Sequence, residues 1–135
     1  MLKLIFCLLF LAQNIANADP DIPEQLKAPG NNKAILTLHA KGDQIYQCTS
    51  INDKHVWQLL APDAELFDTQ GRLAGRHSAG PAWQFKDGSR IVGKTIDQVK
   101  RAPLASIPWL LIEVVEHEGQ GLLSRVNFIQ RINTE

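Results

Sequence analysis

A histidine at the mouth of a Gly80-Pro81 turn, an aromatic pair at Trp83 and Phe85, and an Asp87-Gly88-Ser89 triplet crowd into the fifteen residues from Gly75 to Ser89. Imidazole titrates near neutral pH, so His77 could serve as a general base, with Asp87 as its acid partner and Ser89 or a bound water as nucleophile. A hydrolase or isomerase of that kind needs these groups to converge within hydrogen-bond reach, which spacing alone does not establish. The structural reading of His77 is favoured over the catalytic one: a histidine beside glycines in a β corner commonly donates one ring nitrogen to a backbone carbonyl. Tyr46 and Trp83 add apolar surface with a polar tip. The set His77, Trp83, Tyr46, Asp87 and Ser89 therefore also fits a pocket for a small apolar or saccharide ligand.

Other chemistries are less well supplied. Cys48 could pair with His39 or His77 as a thiol nucleophile, but a lone cysteine in an alternating strand is ordinarily a buried, inert hydrophobe. His39, His55, His77 and His117 lack the close pairing of metal ligands, the nearest two being 16 positions apart, so no metal is expected. His117, between Glu116 and Glu118, reads as part of a solvated turn. The glycines of 71–80 and 119–121 precede no helix and carry no lysine–hydroxyl pair, so they are turn residues and not a phosphate loop. Trp57 and Trp109 read as core, and no cofactor is indicated.

Composition narrows the partners. Met1-Leu2-Lys3, the apolar run Leu4 to Ala12 and the small pair Ala16 and Ala18 form a secretory signal, with cleavage expected after Ala18. Cys7 superficially suits a lipoprotein box, but the apolar segment runs on through it. The run is far short of the roughly 20 residues that cross a bilayer, so no transmembrane anchor is expected in the mature chain. Removing 18 of 135 residues leaves 117, enough for a single core. Without Lys3 there are 13 basic and 14 acidic residues, a balance that excludes the broad positive field of a nucleic-acid binder. Cys48 then has no partner for an intramolecular disulfide. The expected location is the periplasm or the medium, and the expected partner is a small molecule or another envelope protein.

The elements that must position these residues are short and β-like. Residues 19–32, with Pro20, Pro23, Pro29 and Gly30, read as an extended arm, and 33–135 as one β domain. Lys41-Gly42-Asp43 reads as a hairpin turn, and Pro62-Asp63 as a break between strands at 55–60 and 64–68. Asp87-Gly88 supplies a tight turn, with a return strand over 89–93. Thr95 to Arg101 has weak helical spacing, limited to one or two turns by Pro103. Trp109 to Val115 is almost continuously apolar, which predicts a central strand covered on both faces. Residues 122–132 alternate, with Val126, Phe128 and Ile132 on one face and Asn127 and Arg131 on the other. Seven to nine such strands predict an all-β antiparallel sandwich or small closed barrel with at most one short helix.

Taken in order, Ile22-Pro23, Gly42 with Ile45-Tyr46-Gln47-Cys48, Ala64-Glu65-Leu66-Phe67-Asp68 with Gly71, and His77 through Trp83 form a recognisable series. Asp87-Gly88-Ser89, Ile107-Pro108-Trp109-Leu110-Leu111 and Ile129-Gln130-Arg131-Ile132-Asn133-Thr134 complete it. The whole mature chain thereby resembles a family of secreted bacterial and fungal proteins, the domain of unknown function DUF3455. The resemblance implies export and one domain. It implies no activity, cofactor or substrate.

Overall fold

The computed structural model describes residues 21–101 and 106–135. The expected signal segment 1–18, the start of the expected arm, Cys7 and Pro103 lie outside the described residues. Seven strands follow in order: β1 (His39–Ile51), β2 (Lys54–Phe67), β3 (Leu73–Ser78), β4 (Ala82–Phe85), β5 (Arg90–Val99), β6 (Trp109–Glu118) and β7 (Phe128–Arg131). Each pairs antiparallel with the next, giving one sheet in sequential order. Helix is confined to two 3-10 turns, Glu24–Leu26 and Leu122–Arg125. The all-β antiparallel expectation holds. The sheet is open, however, with β1 and β7 as its two edges, where a sandwich or closed barrel was expected.

Two expected breaks are absent. Gly42 is not in a turn: it lies inside β1 opposite Ala64, and a Cβ there would fall 2.2 Å from the Asp63 carbonyl oxygen. Glycine is needed because the strands approach closely. The real turn is Asn52-Asp53, both at positive φ (50° and 60°), linking Ile51 directly to its register partner Lys54. Pro62 does not divide β2. It lies where β2 has a neighbour on one side only, the place where a missing N–H is tolerated.

The helix expected over 95–101 is strand instead. β5 pairs with β6 from Arg90 to Val99, with register shifts between Val92 and Gly93 and between Thr95 and Asp97. A bulge at Ile96 adds one residue to the alternation, so Ile96 and Val99 fall three apart, as on a helix. The return strand thus runs six residues past its expected end. Conversely, 122–125 is a 3-10 turn and not the start of the last strand.

β6 is covered on both faces only over its first four residues, since the expected run ends with Val115 57% exposed, and it is the penultimate strand and not a central one. Trp109, Leu110, Leu111 and Ile112 are all buried. Trp109 and Leu111 pack on Leu26 of the arm, with Ile22, Val99, Phe128 and Ile132 around them, and the Arg101 guanidinium lies 4.7 Å above the Trp109 ring. Gln130 Nε2 donates to the Leu26 carbonyl at 2.6 Å, tying the arm to β7. Leu110 and Ile112 face the other way, toward a concavity that residues of both β1 and β7 line. Strands six places apart in one sheet share a cavity only if the sheet curls.

Trp57 corrects the core expectation. It is 73% exposed on a part of β2 that extends past β3.

Candidate functional site

Strand register builds the site. Ala64 faces His77, His77 faces Trp83 and Trp83 faces Ile91, so one row of side chains crosses four strands on the concave face. On the far side, Leu110 faces Arg131 and Ile112 faces Ile129. All of these residues line a cavity of about 1550 Å³. The cavity is above the roughly 300–1,000 Å³ of ordinary small-ligand sites, in keeping with a sheet that has not closed.

The His77 and Trp83 rings stack, with centroids 4.4 Å apart and planes 10° from parallel. Gly93 makes room for this, since a Cβ there would lie 3.0 Å from Trp83 Cζ3 and 2.4 Å from Ile112 Cγ2. His77 Nδ1 lies 2.9 Å from the Ala82 carbonyl oxygen. A carbonyl only accepts, so Nδ1 carries the proton, and the neutral ring keeps a lone pair at Nε2. Burial pushes the His77 pKa below its ordinary 6.5, and the Arg131 guanidinium adds to the effect against the opposing Ala82 bond. The imidazole is therefore neutral at neutral pH.

Arg131 is half-buried on the cavity wall, where burial lowers its pKa and the Tyr46 phenol opposes that shift. Its Nε and Nη2 donate to the Pro108 carbonyl at 3.1 and 2.7 Å. These two hydrogen bonds to one oxygen fix the guanidinium plane. Gln44 also lines the cavity, and its Oε1 is buried with no hydrogen-bond partner among the described residues. The concave wall thus carries a buried, unpartnered acceptor, Gln44 Oε1, and the His77 Nε2 lone pair, which lies within electrostatic reach of the fixed Arg131 cation.

The five residues singled out in the sequence do not form one site. His77 and Trp83 come together. Tyr46 is exposed farther along β1, within electrostatic reach of Arg131 but not on the cavity wall. Asp87 and Ser89 belong to a separate lock at the β4–β5 turn. Asp87 Oδ1 accepts from Ser89 N at 2.9 Å and Ser89 Oγ at 2.5 Å, and its Oδ2 accepts from Leu122 N at 2.6 Å. Fully buried Ser89 in turn accepts from Leu123 N at 3.1 Å. The Ser89 hydroxyl bond, ahead of the backbone bonds, holds the Asp87 carboxyl below its usual range. Gly121 completes the lock, because a Cβ there would meet the Asp87 carboxylate at 2.2 Å. His77 bonds to the first residue of β4 while Asp87 lies two residues past its last, so the two do not meet as a base and its acid partner.

Cys48 is exposed, not buried, opposite Trp57. His117 is not in a turn. It lies in β6 opposite Ile91, and its Nε2–H donates to the Val126 carbonyl at 2.8 Å. Among the described residues no cluster of His, Cys, Asp or Glu could hold a metal ion, and no helix is long and apolar enough to cross a membrane.

Sequence reasoning missed Gln44, Gly93 and Arg131. The alternation of β7 did place Arg131 opposite Phe128 and Ile132. What the sequence lacked was a sign that the Phe128 face packs on Leu26, which leaves the Arg131 face for the cavity.

Comparison with known proteins bears on this order of motifs. The residue pattern of the family described as "Protein of unknown function (DUF3455)" matches positions 29–135. The chain belongs to the DUF3455 family. No curated protein and no solved structure matches it. The DUF3455 match spans every strand, the His77–Trp83 stack and the Asp87 lock alike.

Proposed function

We propose that this DUF3455 chain is an exported, non-enzymatic binding protein that takes a small, partly apolar molecule on its concave face. The observation that carries this reading is the row of His77, Trp83 and Ile91 beside Gln44 Oε1, whose hydrogen-bonding capacity is unspent. A buried acceptor without a partner costs roughly 1–3 kcal/mol, and a ligand donor would recover that. The ligand accordingly carries hydroxyl or N–H donors for Gln44 Oε1 and His77 Nε2, and an apolar body against Ile91, Leu110 and Ile112. A saccharide would meet the same acceptors, but His77 already covers one face of Trp83, which favours the apolar molecule.

Export is part of the proposal. The expected product is the chain cleaved after Ala18, found in the periplasm or the medium, and its intact mass tests this. For binding, the protein as the cell processes it is incubated with a small-molecule extract of cell envelopes and examined by native mass spectrometry. A retained mass that Trp83→Ala loses supports the reading. A clean spectrum for the wild-type protein counts against it.

A further inference from the structure

We propose, on the basis of the binding reading above, that the molecule taken on the concave face is a monocarboxylic acid, its carboxylate seated on the Nη1–Nη2 edge of Arg131 and its apolar body against Leu110 and Ile112. Strand register sets Arg131 opposite Leu110 and Ile129 opposite Ile112, so one cation and three aliphatic side chains share a patch of the cavity wall. The Arg131 charge is felt at His77 across the sheet, which brings the guanidinium within reach of the His77–Trp83 stack. Among the described residues Arg131 joins no ion pair, whereas Lys27, Arg72, Arg76 and Arg90 each hold a carboxylate. A cation drawn half out of water is costly until an anion meets it.

The hydrogen bonds of Arg131 are only partly used. The Pro108 carbonyl accepts from Nε and Nη2, which occupies one edge of the guanidinium. The Nη1–Nη2 edge keeps two parallel N–H groups with no partner among the described residues, the fork that a planar carboxylate fills with two bonds. Arg131 lines the cavity and Pro108 does not, so the edge turned from Pro108 is the one a bound molecule meets. Charge elsewhere on the wall agrees. Lys33, Lys41 and Arg125 line the cavity with Arg131, against Asp43 and Glu135, while Lys27 is already spent on Glu24. The whole chain balances 14 basic with 14 acidic residues, so the concavity holds a local positive excess that draws anions. A carboxylate suits it better than a phosphate dianion, because His77 is neutral and adds no second charge beside the single fork. Gln44 Oε1 and the His77 Nε2 lone pair repel the carboxylate toward Arg131 and accept from hydroxyl or N–H groups elsewhere on the acid.

The probe is a small-molecule extract of cell envelopes, half of it treated with acidic methanol, which turns carboxylic acids into uncharged methyl esters and leaves phosphate monoesters ionised. Native mass spectrometry of the processed protein titrated with each half is the readout. The expected result is a compound retained from the untreated half and bound at least about tenfold more weakly, or not at all, from the esterified half. Arg131→Gln should weaken the same compound by roughly 10- to 100-fold, and Arg131→Lys, which keeps the charge without the fork, by less. Esterification needs only the wild-type protein, so it decides the matter should a variant fail to fold. An arginine that merely held the Pro108 carbonyl would leave binding indifferent to it. A compound retained equally from both halves overturns the carboxylate while the binding reading stands, and phosphorus in that compound moves the assignment to a phosphate. No retained compound from either half overturns both.

Discussion

At the scale of single residues, protonation of His77 is the property with the sharpest consequence. The folded chain holds its imidazole below the ordinary 6.5, so between the lowered value and 6.5 the unfolded chain binds the proton more readily. Stability from the neutral ring is complete above pH 6.5 and is lost as pH falls through the folded value. Ligand binding through Nε2 should persist through that window and fade only as pH falls through the folded value, where Nε2 takes up the proton. An NMR titration of the His77 ring protons should give a midpoint below 6.5, and a midpoint at or above 6.5 contradicts the stacked, Nδ1-protonated ring. Ser89→Ala strips Leu123 N–H of its buried acceptor and should cost about 1–3 kcal/mol in urea denaturation. Asp87 shows the opposite charge type. Its depressed pKa makes a contribution that is complete above the ordinary carboxyl range and lost as pH falls through the folded value, so Asp87→Asn should flatten the acid limb of the stability curve. The sequence exposed His77, Trp83, Asp87 and Ser89 as special, because glycine, proline and aspartate punctuate them. It could not say that Asp87 and Ser89 spend their polarity on Leu122 and Leu123, some 35 residues away.

Elements were legible where alternation is uninterrupted and illegible where a bulge shifts it. β4 and its Asp87-Gly88 turn follow from local residue types, and Gly88 takes the expected positive φ of 89°. β5 was hidden by the bulge at Ile96, and the β1–β2 hairpin by two residues whose usual meaning is a break. Gly42 and Pro62 serve the pairing of long strands, a tertiary requirement that local sequence does not express. Gly93 is the element-scale test. Gly93→Ala would drive a methyl into Ile112 and Trp83, so it should destabilise by about 1–3 kcal/mol and shift the Trp83 indole resonance. The far end of β2 supplies a second test. Amides of residues 54–61, paired with β1 alone, should exchange with deuterium far faster than those of 64–67, which have neighbours on both sides.

For the whole molecule, the arm and the concavity are two faces of one arrangement. β6 divides the Leu26 cluster from the cavity, with Trp109 and Leu111 toward Leu26 and with Leu110 and Ile112 toward the cavity, while Lys27, Ala28 and Asn32 of the arm also line that cavity. The apolar run of β6 was the clearest global signal in the sequence, and it holds for Trp109 to Ile112 but not for exposed Val115, in a strand that is not central. The arm's role was not legible, since a Pro-rich polar segment gives no sign that a single leucine in it will be fully buried. Leu26→Ala should cost about 2–5 kcal/mol and loosen the outer cluster around Trp109. The central claim is that the concave face binds a small molecule through Gln44, His77 and Trp83. The most direct measurement is side-chain chemical-shift mapping of these three residues as the fractionated envelope extract is added. The account predicts saturable shifts at the Gln44 amide, the His77 ring and the Trp83 indole with the Asp87 lock unmoved; shifts confined to the exposed Trp57 end of β2, or none at all, would contradict it.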